Sequence, residues 1–243
     1  MYFGMIPLLY AITAVATITL SCRLSPVTTG HTSKKSCSYL IACVGNSITS
    51  GRGLADPAKN AFPAQLQSML GDGFDIRNLG ISGRFVTRNF TIGGAYWNEP
   101  QFKELFVIRP DIILMMLGTN DSKEVLWTGA RHFKEDYDAM IDTFTTIENK
   151  PVIIILSSIP ALDSCCCEIR PAYVDSIAVI QKQVATTHGL LFIDTYSPFV
   201  NHSELYQDGV HPTQEGARLI ARTVNDSITS WITDGTLACP SAQ

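Results

Sequence analysis

Four short stretches carry side chains that can act together on a carbonyl carbon. They are Gly45-Asn46-Ser47-Ile48-Thr49, Asn78-Leu79-Gly80-Ile81-Ser82-Gly83, Gly118-Thr119-Asn120-Asp121 and Asp208-Gly209-Val210-His211-Pro212. Acyl transfer needs a nucleophile, a base for its proton, a group that orients the base, and donors for the oxyanion. Ser47 is the candidate nucleophile, on a turn where a backbone N–H can point at the reacting carbonyl. His211 is the candidate base, and Asp208, three residues earlier, is close enough to hold its imidazole. Gly83 has no side chain to keep its N–H away from a ligand. Asn120 offers an amide NH₂. Pro212 is expected to begin the closing helix just beyond the histidine. Each stretch alone is ordinary, since Gly-rich turns and Asn-Asp helix caps are common. Read together, they supply every part.

The elements that must position these residues follow from apolar periodicity. Tyr39–Val44, Phe74–Leu79, Asp111–Leu117, Pro151–Leu156 and Leu191–Asp194 read as strands. Helical faces lie between them: Phe62, Leu66, Met69 and Leu70, entered through Pro63; Trp97–Val107; and Phe133, Tyr137, Met140, Ile141 and Phe144 within His132–Glu148. Tyr173, Ile177, Ile180 and Val184 mark a further helix, and Ala217, Ile220, Val224, Ile228 and Trp231 the last. Five strands rich in Val, Ile and Leu, alternating with helices, predict one α/β domain, a three-layer α/β/α sandwich around a five-stranded parallel sheet. In such a sheet the functional groups are expected just beyond the carboxyl ends of the strands. All four stretches fall there.

Composition narrows the class. The chain has 243 residues, 46% apolar and 16% charged, which excludes a disordered, collagen-like or coiled-coil protein. A net charge of −4 and a pI near 5.7 argue against a nucleic-acid partner. Mean hydropathy of +0.14 is high for a soluble domain, and part of the excess sits in residues 1–22, which hold no charged side chain. The run Ile6–Leu20, followed by Ser21 and Cys22, reads as a secretory signal peptide. No Lys or Arg precedes it and Arg23, Lys34 and Lys35 follow, so an uncleaved membrane anchor stays open, as does lipid attachment at Cys22. Residues 23–36 read as a polar linker, 37–235 as the domain and 236–243 as a C-terminal tail. The expected location is secreted or extracytoplasmic, with membrane contact only through an uncleaved first segment.

Without Cys22, six cysteines remain. Cys43 sits in a strand pattern and is expected as a buried thiol. Cys37 and Cys239 bracket the domain, which makes a bridge between them a natural hypothesis. Cys165-Cys166-Cys167 lacks zinc-site spacing and reads as loop cysteines, one or two of them bridged. His31, His132, His188 and His202 are scattered, and H-E-x-x-H is absent, so neither a metal site nor a cofactor is expected. There is no G-x-S-x-G elbow, no phosphate-binding G-x-x-x-x-G-K-[ST], and no G-x-G-x-x-G after a strand.

In order and separation, the four blocks resemble those of the SGNH, or GDSL-like, hydrolases, over nearly all of Cys37–Trp231. Gly45-Asn46-Ser47 resembles the nucleophile block, Gly83 closes the glycine block, Gly118-Thr119-Asn120-Asp121 resembles the asparagine block, and Asp208-Gly209-Val210-His211-Pro212 the Asp-x-x-His block. The resemblance implies a flavodoxin-like fold and a serine esterase. Ser47, His211 and Asp208 would then be catalytic, and the Ser47 and Gly83 N–H groups with the Asn120 side chain would form the oxyanion hole. Asn46 departs from the family's more frequent Asp. It is not the nucleophile, so activity is expected to survive with a shifted pH profile.

Tyr96-Trp97, the stretch Leu117–Lys123 and Trp127 are similar to a sialate O-acetylesterase-like subgroup. That implies removal of a small acyl group, acetyl, from a carbohydrate, with Trp97 and Trp127 either facing the sugar or packing. A lysophospholipase or thioesterase acting on longer chains, and a carbohydrate-binding relative without catalysis, are the alternatives. N-x-[ST] sequons stand at Asn89, Asn120, Asn201 and Asn225; a glycan on Asn120 would block the oxyanion hole.

Overall fold

The computed structural model describes residues 1, 37–88, 93–163, 165 and 167–240. The chain divides between Lys35 and Ser36, and the fold below belongs to the second unit. The readings of the first segment and the linker, and those of Asn89 and Cys166, fall outside the described residues.

In chain order the elements are β1 (Tyr39–Gly45), α1 (Ser47–Ser50), α2 (Pro57–Asn60), α3 (Phe62–Leu70), β2 (Phe74–Gly80), α4 (Pro100–Ile108), β3 (Ile112–Met116), α5 (Ala130–Phe144), β4 (Val152–Leu156), α6 (Pro171–His188), β5 (Leu191–Ile193) and α7 (Gln214–Thr233). The strands form one parallel sheet in the order β2-β1-β3-β4-β5. Alternation along each strand builds two cores. Ile41, Cys43, Leu114, Met116, Ile154 and Leu156 face α3 and α7 through Phe62, Leu66, Ile220, Val224 and Ile228. Ala42, Val44, Ile113, Met115, Ile153 and Ile155 face the other layer, through Leu105 of α4, Phe133, Tyr137 and Ile141 of α5, and Ile177 and Val184 of α6. The result is the α/β/α sandwich, each large apolar side chain buried contributing roughly 1.5–3 kcal/mol.

Local chemistry sets the helix ends. Pro100 and Pro171 each start a helix, at the first position, where the missing N–H has no intrahelical role. Gly189 closes α6 in the left-handed conformation, its N–H reaching Ala185 and Thr186 carbonyls. Three expectations shift. Pro212 does not begin the closing helix: α7 starts at Gln214, with the Thr213 hydroxyl accepting the Gly216 N–H. The single helix expected over Trp97–Val107 is a 3₁₀ turn, Tyr96–Asn98, and then α4, because Glu99 is extended ahead of Pro100. β2, one of five strands expected to be rich in Val, Ile and Leu, is an edge strand that carries the paired charges Asp75 and Arg77, a device that discourages edge-to-edge association.

A disulfide joins Cys37 to Cys239, spanning 202 positions, and Leu237 beside it is buried. The bridge pins both ends of the domain together and restricts the unfolded chain. Cys37→Ser is expected to cost about 2–4 kcal/mol, read as a lower urea midpoint with a steeper transition, because the unbridged denatured chain exposes more surface. Cys43 is fully buried, and burial pushes its thiol far above the usual range, which makes it inert. Cys165 is a thiol whose S–H donates to the Ile169 carbonyl.

Candidate active site

Ser47 stands at the first position of α1, directly after β1. Asn46 caps that helix, its side-chain oxygen accepting the Ile48 N–H at 2.9 Å. An amide oxygen therefore fills the capping role open to a carboxylate at this position. The turn is tight. A Cβ on Gly45 would lie 1.9 Å from the Thr49 hydroxyl, so only glycine lets the chain fold back here.

His211 and Asp208 come from the loop between residues 205 and 213, closed by Gln207 N–H to the His211 carbonyl and Thr213 N–H to the Leu205 carbonyl. One Asp208 oxygen accepts the Val210 and His211 backbone N–H groups at 3.1 and 2.8 Å. The other lies 2.7 Å from His211 Nδ1. An ionised carboxylate only accepts, so Nδ1 carries the ring proton and Nε2 is left as the acceptor. Ser47 Oγ–H then donates to Nε2 at 2.9 Å. The imidazole is 4% exposed, so water competes little for its proton. The neighbouring segment braces this loop: Leu162 N–H donates to the Gly209 carbonyl and the Tyr206 hydroxyl to that of Pro160.

The remaining parts gather at the same carboxyl edge. Gly83 lies in a turn after β2 with φ of +80°, a conformation glycine adopts without strain. Neither its N–H nor that of Ser47 meets an acceptor among the described residues. Asn120 follows β3 in a 3₁₀ turn (Thr119–Ser122), and its side-chain amide donates one hydrogen to the Arg84 carbonyl at 2.9 Å, leaving the other available. Ser50 and Ser82 hydroxyls, 3.2 Å apart, tie the turn that carries Ser47 to the loop that carries Gly83.

The two tryptophans are engaged in packing. The Trp97 indole N–H donates to the Val86 carbonyl, and the Arg88 guanidinium covers its ring at 4.8 Å. Trp127 stacks on Tyr173 with centroids 4.8 Å apart. Two positions escaped the sequence reading. Gln181, fully buried on α6, bonds the Leu117 carbonyl and the Ser158 N–H, joining the ends of β3 and β4; nothing in a helical stripe signals this. Asp121, read only as part of its block, is 1% exposed, and burial pushes its carboxyl up to about 6 against hydrogen bonds from Thr87 and Val86. Among the described residues no group of three or more His, Cys, Asp or Glu side chains is placed to hold a metal ion, and no helix is long and apolar enough to cross a membrane.

A parallel sheet in this order, with Ser, Gly, Asn and Asp-x-x-His blocks along its carboxyl edge, defines an SGNH-type serine hydrolase. The chain belongs to the GDSL-like Lipase/Acylhydrolase family, whose model matches residues 43–219. It is 32% identical over 206 residues to an acetylxylan esterase of Xylanibacter ruminicola, an alignment that covers 77% of this chain and 42% of that protein's length. In fold it is similar to an aryl esterase of M. smegmatis (TM-score 0.67, 18% identity, 79% of this chain and 99% of that one). A carbohydrate acetylesterase from Sinorhizobium meliloti is comparably similar (TM-score 0.66, 16% identity, 79% and 99%).

Proposed function

We propose that this protein is an esterase that removes acetyl groups from an acetylated carbohydrate through a covalent acyl-enzyme. The observation that carries the reading is the continuous hydrogen-bond chain from Asp208 through His211 to Ser47. In the proposed cycle His211 Nε2 takes the proton of Ser47 Oγ as that oxygen attacks the ester carbonyl. Asp208 keeps the imidazole in the productive tautomer and balances the imidazolium that forms. The Ser47 and Gly83 N–H groups and the second Asn120 amide hydrogen receive the oxyanion. The imidazolium of His211 then protonates the sugar oxygen as its bond to the carbonyl carbon breaks, and water, giving its proton to the same nitrogen, attacks the acyl-enzyme to release acetate and return the proton to Ser47.

The name of the Xylanibacter relative supports an acetylated polysaccharide, and the tryptophans ride with the fold in either case. A sialate ester stays within the same proposal. Acetyl and octanoyl p-nitrophenyl esters separate it from the long-chain alternatives: kcat/KM is expected to be higher on acetyl by at least about tenfold, since each methylene that fails to fit is worth about 1–3 kcal/mol. Higher kcat/KM on the octanoyl ester would reverse the assignment. Release of acetate from acetylated xylo-oligosaccharides then tests the sugar. Export, proposed from residues 1–22, is supported by the Cys37–Cys239 bridge, because disulfides persist in oxidising compartments.

A further inference from the structure

Asp121 is a buried carboxylate that the proposed chemistry leaves unused. One oxygen accepts the Val86 N–H at 3.0 Å, the Thr87 N–H at 2.8 Å and the Thr87 hydroxyl at 2.8 Å, and the other accepts the Val86 N–H at 3.1 Å. Among the described residues it forms no ion pair with Lys, Arg or His. A charge in such a place is costly unless hydrogen bonds replace the lost water, and every donor that does so comes from one short stretch just after Gly83. Thr87, itself 4% exposed, supplies two of them.

The same stretch is held a second time. Asn120, the residue before Asp121, donates to the Arg84 carbonyl. The turn that carries both is closed by Asp121 N–H to the Gly118 carbonyl and by the Ser122 hydroxyl to that of Thr119. Residues 120 and 121 thus grip residues 84–87 at three positions, Arg84, Val86 and Thr87, although the two segments are about 35 positions apart in sequence. Two of the three proposed oxyanion donors, Gly83 N–H and the Asn120 amide, stand on the two segments so joined.

We propose that Asp121, acting through Thr87 and Val86, is a positioning residue that sets the spacing of the Gly83 and Asn120 donors. The proposal rests on the esterase reading of the site. Oxyanion donors act only where the charged oxygen will sit, and a misplacement of about 1 Å can cost roughly 100-fold in rate. Loosening the clamp therefore lowers turnover and leaves ground-state binding almost untouched.

The test is steady-state kinetics of Asp121→Asn, Thr87→Val and Thr87→Ser on p-nitrophenyl acetate, each protein assayed well below its own unfolding midpoint. Thr87→Val removes one hydroxyl donor at nearly constant volume and keeps the proposal testable should Asp121→Asn fold poorly. Expected are kcat losses of about tenfold for Thr87→Val and 10- to 100-fold for Asp121→Asn, with KM within about twofold and activity restored by Thr87→Ser. Folded Thr87→Val and Asp121→Asn with wild-type kcat would overturn the clamp, as would losses confined to KM. A wild-type protein with no esterase activity would instead strike the underlying reading.

Discussion

Ser47→Ala is expected to abolish ester hydrolysis while leaving the fold intact. The change removes one buried oxygen at the start of α1, and the Asn46 cap and the Gly45 turn do not depend on it. What is lost is the atom to which the acyl group must bind. Removing the nucleophile of a serine hydrolase lowers kcat by roughly 10⁶-fold, and the remaining oxyanion donors sustain only a residual rate over water of about 10³–10⁴. The check is kcat on p-nitrophenyl acetate beside an unchanged thermal midpoint. Activity within tenfold of the parent would place the reacting group elsewhere.

Asn120→Ala is expected to lower kcat by roughly 100- to 1,000-fold, about 2.7–4 kcal/mol of transition-state stabilisation, with little change in KM. The asymmetry follows from geometry. The amide holds the Arg84 carbonyl with one hydrogen, so the other is aimed before substrate arrives and strengthens only as charge builds on the carbonyl oxygen. Losing the Arg84 bond also frees the glycine loop, which pushes the loss toward the upper figure. A raised KM with unchanged kcat would show that Asn120 binds the ground state and the transition state alike instead. Because Asn120 is 7% exposed, its N-x-S sequon offers no accessible attachment point in the folded protein.

The fold was legible because buried parallel strands are nearly pure Val, Ile, Leu and Met, as Ile112–Met116 is, and because α5 and α7 each keep their apolar residues on one stripe. The candidate site was legible because Ser47, Gly83 and Asn120 follow strands within a few residues, where a doubly covered sheet leaves its groups accessible, and because Asp208 and His211, in the longer stretch between β5 and α7, keep a three-residue spacing. What stayed hidden has tertiary causes. Asp121 looks like a helix cap until Val86 and Thr87 are folded onto it from about 35 residues away. Gln181 occupies a stripe position that periodicity assigns to the core, and its amide serves two strand ends that no local pattern connects. β2 is not a continuous apolar run: it alternates Phe74 and Ile76 with Asp75 and Arg77, because its edge position leaves the two charged side chains exposed. Pro212 resembles a helix start by composition, yet its partner is Tyr206 across the loop that carries Asp208 and His211, and the Thr213 hydroxyl sets the true start.

The central claim is that Ser47 is an activated nucleophile, with its proton already shared with His211. Labelling with a fluorophosphonate, followed by intact mass and peptide mapping, tests it most directly, because the reagent reacts far faster with a serine whose base and oxyanion donors are in place than with an ordinary hydroxyl. One adduct per chain is expected, on Ser47, and none on His211→Ala under the same conditions. A fully folded protein that takes no label, or takes it on another residue, would contradict the account.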